Sequence, residues 1–442
     1  MDLSRIFKAY DIRGLYPDEI DEVACYAIGG AFAVFHGGSR MAVGRDMRLS
    51  SEPLARAFVE GVTSQGCDVL DIGLVSTDAL YFASGRYDVP GAMFTASHNP
   101  GQYNGIKMCL QGAVPVGQDT GLSEVHRLAR SGLEGGAPAA LAKRDIIGEF
   151  AEHVLSFIDA SNLAPLKVVV DAANGMGGKV VPPVFERLPV ELIPMYFELD
   201  GTFPNHPADP IQEENLADLR AKVEEVGADV GMAFDGDADR VFFVDEEGTP
   251  VSGSLTTALV ASRILSKEKG GSVVHNLICS RIVPETVESL GGKPIRTRVG
   301  HSFIKQVMAE TGAVFGGEHS GHYYFRDNYR ADSGLICALY VLEALSYAGR
   351  PMSKVLEPFR RYWDSGEINS EVTDSDSKMK ELAAAFPDAG QDWMDGLTVE
   401  FEDWWFNVRP SNTEPLLRLN VEASDEHTGR MKTDEILAII KS

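Results

Sequence analysis

Val230-Gly231-Met232-Ala233-Phe234-Asp235-Gly236-Asp237-Ala238-Asp239-Arg240-Val241-Phe242-Phe243-Val244 reads as two apolar strands joined by a loop in which carboxylates alternate. Apolar runs of this length, bounded by Asp and Gly, have the size of buried strands rather than helices. The pattern of an apolar run ending in a polar, glycine-rich loop recurs. It is found at Gly91-Ala92-Met93-Phe94-Thr95, Lys167-Val168-Val169-Val170, Ser272-Val273-Val274-His275 and Ala313-Val314-Phe315. Helical patterns with clear caps lie between them: Ser51-Glu52-Pro53 opens one that closes near Gly66, and Asp332-Ser333 opens one that Gly349 and Pro351 close. Strands alternating with helices define α/β domains.

The 442 residues, 44% of them hydrophobic, can bury several cores. Composition suggests breaks near residue 150, near Gly248 to Ser254 and near Ser365-Gly366, and the Gly- and Pro-rich stretch from 131 to 142 reads as a connection. Four domains are expected, 1–150, 151–252, 253–366 and 367–442. Similar spacing in the first three predicts a repeated unit. The last has different proportions, with strands at Leu397–Phe401 and Trp404–Val408 and a terminal helix.

Sixty-five acidic against 40 basic residues leave a net charge of -25, which opposes nucleic acid and anionic membrane as partners. An anionic substrate then needs a local cluster of Arg and Lys inside a cleft. Cys25, Cys67, Cys109, Cys279 and Cys337 show no CxxC pair and no metal spacing, which points to a reducing cytoplasm. No apolar stretch is long enough to span a bilayer, and the N-terminus does not resemble a signal peptide.

Four polar segments carry the chemistry. Thr95-Ala96-Ser97-His98-Asn99-Pro100-Gly101 through Lys107 places a nucleophile, an imidazole and an ammonium just after a strand, where α/β folds bind ligands. Read alone, it is equally an Asn-Pro-Gly turn. Asp235, Asp237 and Asp239 offer hard oxygen ligands to a cation such as Mg²⁺, with an acidic turn as the alternative. An EF-hand fails there, because Arg240 stands where glycine is required. Gly316-Gly317-Glu318-His319-Ser320-Gly321-His322 supplies hydrogen-bonding partners for sugar hydroxyls, or is equally a glycine-rich turn with incidental polar residues, and lacks the HExxH spacing of a zinc protease. Arg409-Pro410-Ser411-Asn412-Thr413-Glu414-Pro415-Leu416-Leu417-Arg418 suits a phosphate, or is an exposed turn with two solvated arginines. The nucleotide fingerprints GxxxxGK[ST] and GxGxxG are both broken around Gly175-Met176-Gly177-Gly178-Lys179-Val180.

Together, in this order and at these intervals, the four segments resemble the α-D-phosphohexomutase family, the phosphomannomutases and phosphoglucomutases, over essentially the whole chain. Phe7-Lys8-Ala9-Tyr10-Asp11-Ile12-Arg13-Gly14 and Val43-Gly44-Arg45-Asp46 also look like the family's. The resemblance implies three similar α/β domains with mixed sheets, followed by a distinct α+β C-terminal domain, arranged around a central active-site cleft. It implies that Ser97 is a phosphoserine whose oxygen joins Asp235, Asp237 and Asp239 around one Mg²⁺. Glu318, Ser320 and His322 would contact the sugar. Arg409, Ser411, Asn412, Thr413 and Arg418 would hold the non-reacting phosphate, and Tyr10, Arg13, His98, Lys107, Arg240 and His301 would surround the reacting groups.

The activity so implied interconverts hexose 1-phosphate and hexose 6-phosphate through a hexose 1,6-bisphosphate, which also serves as activator, with either His322 or Lys107 taking the hydroxyl proton. Glu318 to His322 with the following Tyr323-Tyr324-Phe325 looks most like bacterial phosphomannomutases, so mannose phosphate comes first and glucose phosphate second. Asn412 weighs against a phosphoglucosamine mutase. A non-catalytic sugar-phosphate binder of the same fold and a metal-dependent phosphatase are the other readings. One departure stands out: Asn276-Leu277-Ile278-Cys279-Ser280-Arg281 lacks the lysine of a Lys-Cys-Thr-Arg-like segment, and Arg281 need not replace it. Oligomeric state is not legible.

Overall fold

A computed structural model describes residues 3–410 and 416–442. One strand pattern occurs three times. Arg40–Arg45 runs parallel to Asp68–Leu74 on one side and Gly91–Phe94 on the other, and Tyr103–Leu110 folds back antiparallel on Gly91–Phe94. Lys167–Asp171 is flanked in the same way by Glu191–Met195 and Val230–Phe234, with Val241–Asp245 folding back. Ser272–Asn276 is flanked by Lys293–Thr297 and Phe315–Gly317, with Tyr323–Phe325 folding back. The Ser97 loop, the aspartate loop and the Glu318–His322 loop are therefore the same hairpin in three successive domains. That equivalence, rather than proximity in sequence, aims all three at one place.

All three sheets are mixed, and the strands Gly91–Phe94, Val230–Phe234 and Val241–Asp245 are buried at every position. Strands covered on both faces by helices need continuous apolar runs, which is what these segments supply. One core joins the three domains, running from Leu70 and Phe82 through Val170 and Phe234 to Phe315 and Leu339.

The last domain is different. Its five strands are antiparallel, in the order Trp363–Glu371, Leu416–Ala423, Trp404–Pro410, Leu397–Glu400, Gly390–Asp392. Helices Ser375–Ala385 and Glu426–Lys441 supply Met379, Leu382, Ile436 and Ile440 to a core built within this domain. Polar contacts tie it to its neighbour: Arg281 donates to the carbonyls of Phe401 (2.6 Å) and Glu402 (2.8 Å), and Val299 N donates to Asp395 (3.0 Å).

Local signals behave as their chemistry dictates. Ser333 caps helix Gly334–Ala348 by accepting from Ile336 N, and Gly349 ends it in the left-handed region at φ 60°. Helix Ser51–Ser64 stops just before Gly66. Three expectations shift. The strand expected at 313–315 lies at Phe315–Gly317, because the ladder pairs Val273 with Phe315. At the end of the expected connection, Leu141–Lys143 adds an edge strand beside Asp68–Leu74. Helix Ile147–Leu155 runs through residue 150 and buries Phe150, Ala151 and Val154 in the shared core. Among the described residues no helix is long and apolar enough to cross a membrane.

Candidate active site

Ser97 sits on the first hairpin at φ 50°, a left-handed conformation that costs an L-residue energy and recurs at functional positions. Arg48, itself 2% exposed, holds it there. Its guanidinium donates to the carbonyls of Ser97 (2.8 Å), Asn99 (2.7 Å), Pro100 (2.8 Å) and Tyr103 (3.0 Å), while Asp46 accepts from its Nε at 3.1 Å. The second hairpin packs against this loop through a glycine. A Cβ on Gly236 would lie 2.4 Å from the Ser97 carbonyl oxygen, so only glycine permits the approach.

That approach brings Ser97 Oγ to 2.7 Å from Asp235 Oδ2, which also accepts from Arg240 Nε at 2.9 Å. Lys107 Nζ bridges Asp237 (2.7 Å) and Asp239 (2.6 Å), and Thr77 Oγ1 donates to Asp237. The three aspartates are buried, and each offers an oxygen within 4.8 Å of the others. Oδ1 of Asp237 and Oδ1 of Asp239 are buried without a hydrogen-bond partner. Buried carboxylate oxygens left unpaired are costly, and a set of hard oxygens this close fits a small divalent cation such as Mg²⁺. Burial pulls the Lys107 ammonium down, but Asp237 and Asp239 outweigh it and hold the group well above its ordinary value.

The third hairpin meets the second where His322 bridges to Arg240. Asp332 accepts from His322 Nδ1 at 2.8 Å, and Lys305 approaches the other oxygen of Asp332 at 2.8 Å. Burial lowers the His322 pKa, while Asp239 and Asp332 raise it to a net value above the ordinary one. Burial, reinforced by Arg240 and Arg13, holds His98 well below its usual range.

Ser97, His98, Lys107, Asp239 and His322 line a cleft of about 1640 Å³. Tyr10, Arg13, His301, Arg409 and Arg418 line it too. Tyr10 and His301 meet ring to edge at 5.5 Å, and Arg13 donates to Asn99 at 2.6 Å. Glu318 and Ser320 are not among the described lining residues. Glu318 lies behind the wall, 2% exposed, accepting from Tyr324 OH, Asn276 Nδ2 (3.2 Å) and Gly300 N (3.3 Å). Ser411, Asn412 and Thr413 fall outside the described residues. Arg281 faces the C-terminal domain, and Ile278 is 6% exposed.

Sequence reasoning missed Arg48, Thr77, Asp332 and Glu367. Arg48 follows the Gly44-Arg45-Asp46 segment by two residues, which is a faint signal; Asp332 reads as a helix start and Glu367 as the first residue after a domain break.

A serine on a buried acidic triad, with a His–Asp pair beside it and two arginines from a separate domain lining the same cleft, defines a four-domain phosphotransferase. The chain matches family models for phosphoglucomutase/phosphomannomutase alpha/beta/alpha domain I at residues 4–132, domain II at 148–248, domain III at 252–362 and the C-terminal domain at 367–438. It is 40% identical to a protein named phosphohexose mutases from Xanthomonas campestris pv. campestris (strain B100), covering 98% of this chain and 99% of that one. It is 39% identical to a phosphomannomutase of Salmonella montevideo, covering 99% of both. A solved phosphoglucomutase/phosphomannomutase family protein from Burkholderia thailandensis superposes with a TM-score of 0.90 at 33% identity, covering 99% of this chain and 97% of that one. The chain belongs to the phosphoglucomutase/phosphomannomutase family and is a phosphohexomutase.

Proposed function

We propose that the protein interconverts mannose 1-phosphate and mannose 6-phosphate in the cytoplasm, with glucose phosphates as second substrates, through a phosphoserine at Ser97 and a hexose 1,6-bisphosphate. The observation that carries this reading is the placement of Ser97 Oγ, 2.7 Å from Asp235, in the same cleft as Arg409 and Arg418. Mannose and glucose differ at one hydroxyl, and a site without a dedicated contact there accepts both.

A phosphoserine carries about -1.5 to -2 charges and would be repelled by three aspartates alone. Asp235, Asp237 and Asp239 would hold Mg²⁺, which when bound offsets that charge and polarises the phosphoryl oxygens. Lys107 and Arg240 supply fixed positive charge beside the aspartates. Phosphoryl transfer asks the protein mainly for positioning and charge stabilisation.

The proton falls to His322. Lys107 lies against Asp237 and Asp239, the carboxylates that would hold the ion, and serves there as positive charge. Asp332 only accepts when ionised, so it fixes His322 with the proton on Nδ1 and leaves Nε2 free to act as base. Nε2 takes the proton of the sugar hydroxyl as its oxygen bonds to phosphorus, and the bond from phosphorus to Ser97 Oγ breaks with its electron pair left on the serine oxygen, whose charge Lys107 and Arg240 help offset until that oxygen attacks again in the return transfer. After the bisphosphate turns over, the same steps run in reverse and return the other phosphoryl group to Ser97. Arg409 and Arg418 grip whichever phosphate is not reacting.

The test is to incubate the protein with Mg²⁺, a trace of hexose 1,6-bisphosphate and mannose 1-phosphate or glucose 1-phosphate in turn, following 6-phosphate and free phosphate. Conversion without release of free phosphate, lost in Ser97→Ala, supports the mutase. Release of free phosphate instead, or binding without conversion, overturns it.

A further inference from the structure

The two arginines of the C-terminal domain stand directly opposite each other on antiparallel strands, Arg409 on Trp404–Pro410 and Arg418 on Leu416–Ala423. Like charges opposite one another repel, so the pair needs a counter-charge. Glu367 provides it: Oε2 lies 2.5 Å from Arg409 Nη2 and Oε1 lies 3.2 Å from Arg418 Nη1, one carboxylate oxygen for each guanidinium. A bulge puts the residue there. Asp364 pairs with Glu422 and Glu367 with Asn420, so three steps along one strand match two along the other, around Gly366 at φ 63°. Val421 N donates to Ser365 Oγ at 3.0 Å within the bulge. Without the extra residue, alternation would turn position 367 to the other face of the sheet.

Both arginines line the cleft, and Glu367, two residues along its strand from the position opposite Arg418, reaches them from the side on the same face of the sheet. The Nε of Arg409 is buried without a hydrogen-bond partner. We infer that Glu367 is a positioning residue: it holds Arg409 and Arg418 as a preformed pair that receives the non-reacting phosphate in either orientation of the sugar. This inference rests on the reading of the two arginines as the phosphate receptor. Its consequence reaches the intermediate, because a bisphosphate that must turn within the cleft escapes more often when the distal grip is weak.

The experiment compares Glu367→Gln, Glu367→Asp and Arg409→Ala with wild type, each checked for an unchanged fold by circular dichroism. Glu367→Gln is expected to raise KM for the hexose 1-phosphate and the 6-phosphate together, on the order of tenfold for the loss of a charge-assisted contact. Its kcat at saturating added bisphosphate stays within about twofold, because the groups around Ser97 are untouched. The bisphosphate concentration needed for half-maximal activity rises in parallel, and Glu367→Asp recovers part of both effects. If Arg409→Ala raises KM while Glu367→Gln and Glu367→Asp leave it unchanged or lower it, the role of Glu367 is overturned and the receptor stands. If Arg409→Ala itself leaves KM unchanged, the receptor reading falls and this inference with it.

Discussion

Ser97 Oγ and Asp235 Oδ2 lie 2.7 Å apart although 138 residues separate them in the chain. The contact joins the first two hairpins, and Asp235 also neutralises Arg240, which is 4% exposed. Ser97→Ala should remove mutase activity by on the order of 10³-fold or more while leaving the fold intact. Asp235→Ala should do more damage. It leaves the buried Arg240 guanidinium with only the longer contact to Asp209 at 3.9 Å, and breaking such a pair costs about 3–5 kcal/mol, which urea unfolding would read directly.

The His322–Asp332 pair predicts a pH profile. The base works in its neutral form, so kcat/KM should fall on the acid side as pH drops through the raised His322 value. Asp332→Asn removes one of the carboxylates that raise it. The acid limb should then move to lower pH while kcat falls about 10²-fold, since Asn no longer enforces the tautomer. An acid limb that stays in place would assign the proton to another group.

Chelation should abolish activity, with recovery on adding Mg²⁺. Because the unpaired oxygens of Asp237 and Asp239 are buried, the ion should also stabilise the fold. At about 100 times its Kd the expected gain is about 2.7 kcal/mol, seen as a higher thermal midpoint. A midpoint indifferent to both chelator and Mg²⁺ would count against the acidic triad as the metal site.

Asp78 makes stability depend on pH. It is fully buried, accepts from Ser333 Oγ at 2.6 Å and from Ser76 Oγ, and burial pushes its carboxyl up to about 7. A carboxyl raised above its unfolded value of about 3.9 keeps its proton in the folded state. Its stabilising effect is fully present below pH about 4 and is lost as pH rises through about 7, a change of about 4 kcal/mol. Asp78→Asn cannot ionise, so its stability relative to wild type should improve between pH 5 and pH 8. Thermal midpoints of the two proteins across that range test it, and parallel curves would refute it.

The hairpin loops can be read from sequence because each is local. An apolar strand, a polar turn and a second strand are contiguous, and the acidic run 235–240 keeps its chemistry wherever the domain is placed. The caps at Ser333 and Gly349 are legible for the same reason, since a cap bonds to backbone three or four residues away. The edge strand Leu141–Lys143 is not, because a short exposed strand is made by its partner Asp68–Leu74 rather than by its own pattern.

The sequence by itself determined the alternating α/β units, the serine, aspartate and arginine loops and the family they resemble. Only the tertiary structure decided which partner each charged side chain meets. The two candidates for the base, Lys107 and His322, look alike in sequence, and the fold gives them different surroundings: two carboxylates on the ammonium and one behind the imidazole. Arg48, Asp332 and Glu367 act through partners 10 to 55 residues away, with Glu367 brought to its arginines by a single-residue bulge. Protonation and pairing depend on distance and burial, and those are properties of the packed chain that no local pattern carries.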